Sequence, residues 1–269
     1  MECKICSTIS KKKTSFLFVH KKIKYFQCDN CLFIFQNPLP SLSKIKSIYN
    51  KKYFTENYKN YKKDYKLRQL QYGLDKKTIL KFYKDSKEKS ILDYGCGNGK
   101  FLGLFRSKKF GYEFNKNAEV DKKVNRLSNV TVHNRKYDMI IMRGVIEHIP
   151  DFDKVVTNLS KCLKINGLFF ITATPNSHNL TFFLSSKDFN QNHPAHLFHF
   201  NHVNLSLFFL KNDFLTISTS YQYLETPYAN IGKDFKSLKK QLKNYKSKLS
   251  TFSPPAVGNM LSSVFKKMK

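Results

Sequence analysis

Three groups of residues have types and spacings suited to chemistry. Cys3-x2-Cys6 and Cys28-x2-Cys31 are two CxxC pairs with 21 residues between them. Two such knuckles can set four thiolates tetrahedrally around Zn²⁺, which closes the site and gives it a structural job. Disulfides need an oxidising compartment, and a redox CxxC needs one pair only. Cys3, Cys6, Cys28 and Cys31 therefore read as a zinc ribbon. The second group is Ile91-Leu92-Asp93-Tyr94-Gly95-Cys96-Gly97-Asn98-Gly99-Lys100, an apolar strand running into a glycine turn. Glycines let the backbone turn sharply and approach a ligand closely. Lys100 occupies the last position of a dehydrogenase G-x-G-x-x-G, so the spacing is D-x-G-x-G-x-G instead. Glu113 follows Asp93 by 20 positions, in Phe110-Gly111-Tyr112-Glu113, where a carboxylate can accept both ribose hydroxyls of a nucleoside. The third group is a histidine run, His193, His196, His199 and His202, at intervals of three. Imidazole titrates near neutral pH and can take a proton from an acceptor, or serve as a structural network.

The elements that must position these groups follow from apolar patterning. Ile91–Tyr94, Tyr112–Phe114, Val130–His133, Met139–Met142 and Leu168–Thr172 read as strands, and segments near 99–108, 116–127 and 151–163 as helices. Strand and helix alternating at this rhythm predict an α/β fold with a parallel sheet covered on both faces. Residues 1–40 form the ribbon, 41–88 a Lys/Tyr-rich helical linker or lid, and 89–225 the main domain. Residues 226–269 read as a basic tail with two amphipathic helices split by Pro254-Pro255. Cys96 and Cys162 lie outside the metal set and read as ordinary buried thiols.

The glycine loop with Glu113 resembles the first motif of the class I S-adenosylmethionine (SAM) methyltransferases. Tyr137–Asp151, containing Glu147-His148-Ile149-Pro150-Asp151, is similar to that family's fourth strand and its E-H-x-P-D continuation. Leu163-Lys164-Ile165-Asn166-Gly167-Leu168 resembles its L-K-P-G-G-x-L hairpin. The resemblance implies a Rossmann-like sheet and SAM as cofactor, held by Asp93, Gly95, Cys96, Gly97, Gly99, Glu113, Phe114, Asn134, Arg143 and Gly144. Asp93 would reach the amino group and Glu113 the ribose. Asn134 stands in for the family's adenine-binding Asp. Gly144 stands where quinone-type members carry a second metal-binding Glu, which argues against a catalytic metal. Cys28–Asn37, followed by Pro38 and then Tyr49 and Tyr53, is similar to the zinc-bearing lead-in found before many bacterial methyltransferase domains, enzymes that often act on sugars or cell-surface polysaccharide precursors. The histidine run is similar to the H-E-H-L-x-Y-F-S segment of zinc-bearing sugar C-methyltransferases, with Ala195 in place of its Glu. That likeness implies His196 as general base, with His193 next and His148 first a pocket wall.

Composition limits the alternatives. The 269 residues carry 48 Lys and Arg against 19 Asp and Glu, a net +29. Only five of the cations are Arg, whereas sequence-specific nucleic-acid readers lean on Arg for bidentate contacts. The lysines suit a solvated surface, or an acidic small-molecule or glycan-precursor acceptor. An RNA methyltransferase gripping phosphates is a second reading, and a non-catalytic SAM-binding protein a third. No apolar run reaches ~18 residues and the N-terminus lacks a long apolar stretch, so a cytoplasmic enzyme is expected. The basic tail could rest on anionic lipid.

Overall fold

Two sheets organise the residues that the computed structural model describes: 3–6, 14–48, 65–116, 118–130, 136–185, 194–243 and 252–269. The smaller sheet joins β1 (Thr14–His20), β2 (Ile23–Cys28) and β3 (Ile34–Gln36) to β9 (Phe198–His199), in the order β1-β2-β3-β9. The larger contains β4 (Ser90–Tyr94), β5 (Lys108–Tyr112), β6 (Asn125–Leu127), β7 (Tyr137–Arg143), β8 (Leu163–Pro175), β10 (Phe214–Tyr221) and β11 (Met260–Lys267). Its order is β10-β11-β8-β7-β4-β5-β6, with β4 to β8 parallel and β11 antiparallel to both neighbours. After β4 the chain moves outward to β5 and β6, then returns to place β7 on β4's other side. That reversal opens a crevice at the carboxyl ends of β4 and β7, the switch point where open α/β sheets bind ligands.

Neighbouring residues along each strand enter different cores, as burial on both faces requires. Leu92, Ile140, Met142, Phe169 and Phe265 pack on one side. Ile91, Met139, Ile141, Phe170 and Val264 pack on the other. The helices are α1 (Leu42–Ile48), α2 (Tyr65–Leu80), α3 (Phe152–Lys161), α4 (Leu180–Ser185), α5 (His202–Lys211) and α6 (Ile231–Lys243). α3 forms where 151–163 reads as helical, burying Phe152, Val156 and Leu159 at helical spacing.

Five expectations need correction. The strand read at Tyr112–Phe114 is β5, which runs earlier, from Lys108, and ends at Tyr112. Segment 99–108 holds one 3₁₀ turn, Leu102–Leu104, because the chain must reverse into β5 within a few residues and Gly99 and Gly103 favour no helix. The described part of 116–127 runs as turns into β6. Arg126 donates to the Asn115 and Ala118 carbonyls there, doing what helical N–H groups would do. The sheet's third strand is β6, earlier than Val130–His133, and 131–135 lie outside the described residues. The last correction concerns the tail beyond residue 226. Met260, Leu261, Val264 and Phe265 belong to β11, which is clamped between β8 and β10 and buried on both faces. A strand covered on both sides is apolar throughout, so its pattern can mimic helical spacing. The chain's last strand thus completes the main sheet, and Phe209 of α5 stacks on Phe265 at 3.8 Å.

Candidate functional site

The cofactor side of the crevice is made by the ends of β4, β5 and β7. Gly95 and Cys96 both donate backbone N–H bonds to Tyr112 O, at 2.8 and 3.0 Å, which draws the glycine loop onto the end of β5. Gly95 has φ +83°, and a Cβ on it would lie 2.6 Å from Val145 Cγ2, so only glycine fits. A Cβ on Gly97, φ +54°, would meet nothing within 4 Å: the loop faces open space there. Gly99 closes the turn through its N–H to Cys96 O, 2.9 Å. The Cys96 sulfur lies against Gly111, 2.7 Å from where a Cβ on that residue would stand, which makes it a packing group.

Glu113 directly follows β5. Its Oε2 accepts from Gly97 N and its Oε1 from Asn115 N, both at 2.9 Å, so the carboxylate borders the open face of the loop. Asp93 is buried at 2 % exposure, and its Oδ1 has no hydrogen-bond partner among the described residues. Burial pushes its carboxyl up to about 7, Arg143 acts in the opposite direction, and Glu113 adds to the rise. A buried orphan oxygen calls for a donor, and a ligand ammonium entering beside the loop would supply one. Phe114 lies exposed beside Glu113. These features fit the amino acid and ribose ends of SAM. Asn134 is outside the described residues.

Arg143 ends β7, but its Nε bonds Asp75 Oδ2 of α2 at 2.7 Å, and its guanidinium lies 4.9 Å from the Tyr72 ring centre. Asp75 also accepts from Gln71 and Gln222. Arg143 thereby fastens α2, part of the expected lid, onto the sheet edge. The composition of 41–88 carries no hint of this buried pair.

A second polar cluster is built from sequence-distant pieces. After β7 and Gly144, the 3₁₀ turn Ile146–His148 buries Glu147 at 1 % exposure, with Thr174 donating to its carboxyl at 3.3 Å. Burial pushes Glu147 up to about 8, so it is largely protonated at neutral pH. His148 Nδ1 lies 2.8 Å from Ala195 O, its Nε2 3.7 Å from Glu147 Oε1, and its ring centre 4.7 Å from that of His196. Ligand atoms of Glu147, His148 and His196 all lie within 4.8 Å of one another. One carboxylate and two imidazoles also suit a divalent transition-metal ion, with His196 contributing what Gly144 cannot. His199 is fully buried, and burial holds it down to about 4, neutral at physiological pH. His202 Nδ1 meets Tyr221 OH at 2.8 Å. His193 is outside the described residues.

The histidine segment is held from two sides: Leu197 N donates to Glu147 O at 2.9 Å and Phe200 bridges Asn176 after β8, while the small sheet grips its other edge. β9 pairs with β3. Gln36 Nε2 donates to Pro194 O and His196 O, at 3.2 and 3.0 Å, and Gln36 N to Leu197 O at 2.9 Å. Gln36 was not among the residues that sequence reasoning selected, since a lone Gln carries no motif. At the far end of this sheet Cys3, Cys6, Cys28 and Cys31 are buried, with Sγ atoms of Cys3 and Cys31 3.6 Å apart and of Cys6 and Cys28 3.4 Å apart. A disulfide would bring sulfurs to about 2 Å. A tetrahedral zinc site with ~2.3 Å Zn–S bonds separates them by about 3.8 Å. The spacing is near the second value.

Residues 66–219 match the family model described as a methyltransferase domain. No curated protein matches the chain significantly. Among solved structures it is similar to a chain from the complex between the Haloferax volcanii Trm112 methyltransferase activator and a methyltransferase. That match has 10 % identity and TM-score 0.57, and covers 78 % of this chain and 97 % of that one. It is also similar to the Burkholderia thailandensis 1,6-didemethyltoxoflavin-N1-methyltransferase, seen with its substrate and S-adenosylhomocysteine. Here identity is 12 %, TM-score 0.54, and coverage 95 % and 100 %. A SAM-dependent methyltransferase from Archaeoglobus fulgidus aligns at 15 % identity and TM-score 0.52, covering 77 % and 99 %. Identities this low establish the shared fold.

Proposed function

The chain belongs to the methyltransferase-domain family and is a SAM-dependent methyltransferase, and from that premise we propose that it methylates a hydroxyl of a sugar, nucleotide-sugar or cell-surface polysaccharide precursor. One observation supports the reading: His196 and His148 pair over the buried Glu147, in the turn that follows the C-terminal end of β7. Bound SAM supplies an electrophilic methyl group on a sulfonium. Asp93 would hold the amino group of bound SAM and Glu113 its ribose hydroxyls, with the Gly95–Gly99 backbone bordering the same face. His196 would accept the hydroxyl proton as the acceptor oxygen bonds the methyl carbon and the S–CH3 bond breaks, leaving S-adenosylhomocysteine, and His148 would brace the ring beside it. The protein thus contributes alignment and one base. A tethered segment suits that task, because a base must stay within hydrogen-bond reach of the proton it removes.

We assign the four cysteines a structural Zn²⁺, supported by their burial and sulfur spacing. In this reading the ion stiffens the sheet whose strand β3 holds the His196 segment.

The test is methyl transfer from isotopically labelled SAM to three separate pools: nucleotide-sugars, polysaccharide-precursor extracts and total RNA. Label in a sugar fraction, surviving ribonuclease, supports the proposal. Label confined to RNA would replace it with the RNA-methylating reading. Tight SAM binding with no labelled fraction would favour a binding protein.

A further inference from the structure

Helix α6 is mounted with its polar side inward. Asp234, Ser237 and Gln241 are buried, whereas Ile231, Phe235 and Leu242 are exposed at 58, 67 and 70 %. At roughly 100° per residue these three and half-buried Leu238 fall within an arc of about 60°. The cause is local. Asp234, the helix's single acid, accepts from Tyr223 OH at 2.9 Å and from the Ser253 backbone and hydroxyl, which fixes that side against the domain. Its five lysines are all exposed; Lys236, Lys239 and Lys243 flank the stripe on the side away from the buried residues, whereas Lys233 and Lys240 point away from it. The surface left outward is an apolar stripe bordered by positive charge with no exposed acid on the helix.

We propose that α6 is an in-plane docking helix for an anionic phospholipid bilayer. The stripe enters the headgroup–acyl boundary while the lysines bind lipid phosphates. Lysine stems bury against apolar matter while their heads stay wet, so the two features work together. A protein partner would need acids opposite the lysines and an apolar groove between them. An anionic bilayer presents both chemistries at every point, and a chain of net +29 is drawn towards it over a Debye length. The proposal does not depend on the acceptor, and no helix of the described residues is long and apolar enough to span a membrane.

The chain contains no Trp, so Phe235→Trp in the full chain gives a single reporter. Its emission should shift to the blue on vesicles of equal parts phosphatidylglycerol and phosphatidylcholine, not on phosphatidylcholine alone, and the shift should shrink as salt rises. In flotation, Phe235→Asp with Leu242→Asp should weaken binding by at least about tenfold. Lys236→Gln, Lys239→Gln and Lys243→Gln should each weaken it about fivefold. Thermal unfolding of the Asp variant should match the parent, since both side chains face solvent. An unshifted Trp spectrum overturns the proposal, as does flotation that the Asp pair leaves unchanged. A concentration-dependent dimer abolished by the Asp pair, without vesicle binding, would make the stripe a self-interface instead.

Discussion

The two sides of the crevice are built differently. The cofactor side comes from consecutive strand ends of one sheet: Asp93 near the end of β4, Glu113 after β5, and loop residues bonded to Tyr112 between them. The acceptor side is assembled across the chain, with Glu147 and His148 after β7, His196 some fifty residues later, and Gln36 reaching it from the N-terminal sheet. One side lies within the ladder that makes the fold; the other joins a turn of that sheet to a segment it shares with the small module. Damage should therefore separate: injuries to the N-terminal module ought to reach proton transfer and spare cofactor binding.

The strongest disturbance is to the metal site. Cys28→Ser should leave three thiolates and lower stability by several kcal/mol, as metal-coupled folding implies. Denaturant unfolding measures this, and elemental analysis should show one zinc per parent chain. A second metal equivalent that is lost in His196→Asn would mark the Glu147–His148–His196 cluster as a metal site. Next comes the base itself. His196→Asn should lower kcat by ~10²–10⁴ with SAM affinity nearly unchanged. Steady-state kinetics and SAM titration check this.

Smaller effects sharpen the contrast. Gln36→Ala removes the amide bonds to Pro194 and His196 but touches nothing on the cofactor side. Its kcat should drop about tenfold, on the scale of one or two lost hydrogen bonds, with the SAM Kd unmoved. Last is a pH effect on the cofactor itself. Burial raises Asp93 to about 7, and only its ionised form can accept an ammonium, so SAM binding should weaken as pH falls below 7. The limit is about tenfold per pH unit. Titration calorimetry in two buffers of different ionisation enthalpy should show proton release on binding below pH 7.

Legibility in the sequence followed the same division. The glycine loop, Glu113 and the central strands were readable because a contiguous segment specifies them, through local turn chemistry and apolar runs. The CxxC spacing was readable for the same reason. Gln36, Asp75 and the closeness of His148 to His196 depend on tertiary pairing of β3 with β9 and on the seat of α2, which no local pattern encodes. The last strand was misread because Met260, Leu261, Val264 and Phe265 pack on two faces at once. On α6 the spacing of Ile231, Phe235, Leu238 and Leu242 was visible, but not which way the stripe faces. That is decided by Asp234 and its bonds to Tyr223 and Ser253.

The central claim, that SAM is held by the sheet while the acceptor chemistry belongs to the docked segment, can be tested before any acceptor is known. SAM is titrated calorimetrically into the parent chain, Glu113→Ala and His196→Asn. The account predicts one site per chain with near-equal Kd for the parent and His196→Asn, and at least about tenfold weaker binding for Glu113→Ala, which loses a charge-assisted pair of ribose hydrogen bonds. Equal losses in both variants, or no binding by the parent chain, would contradict it.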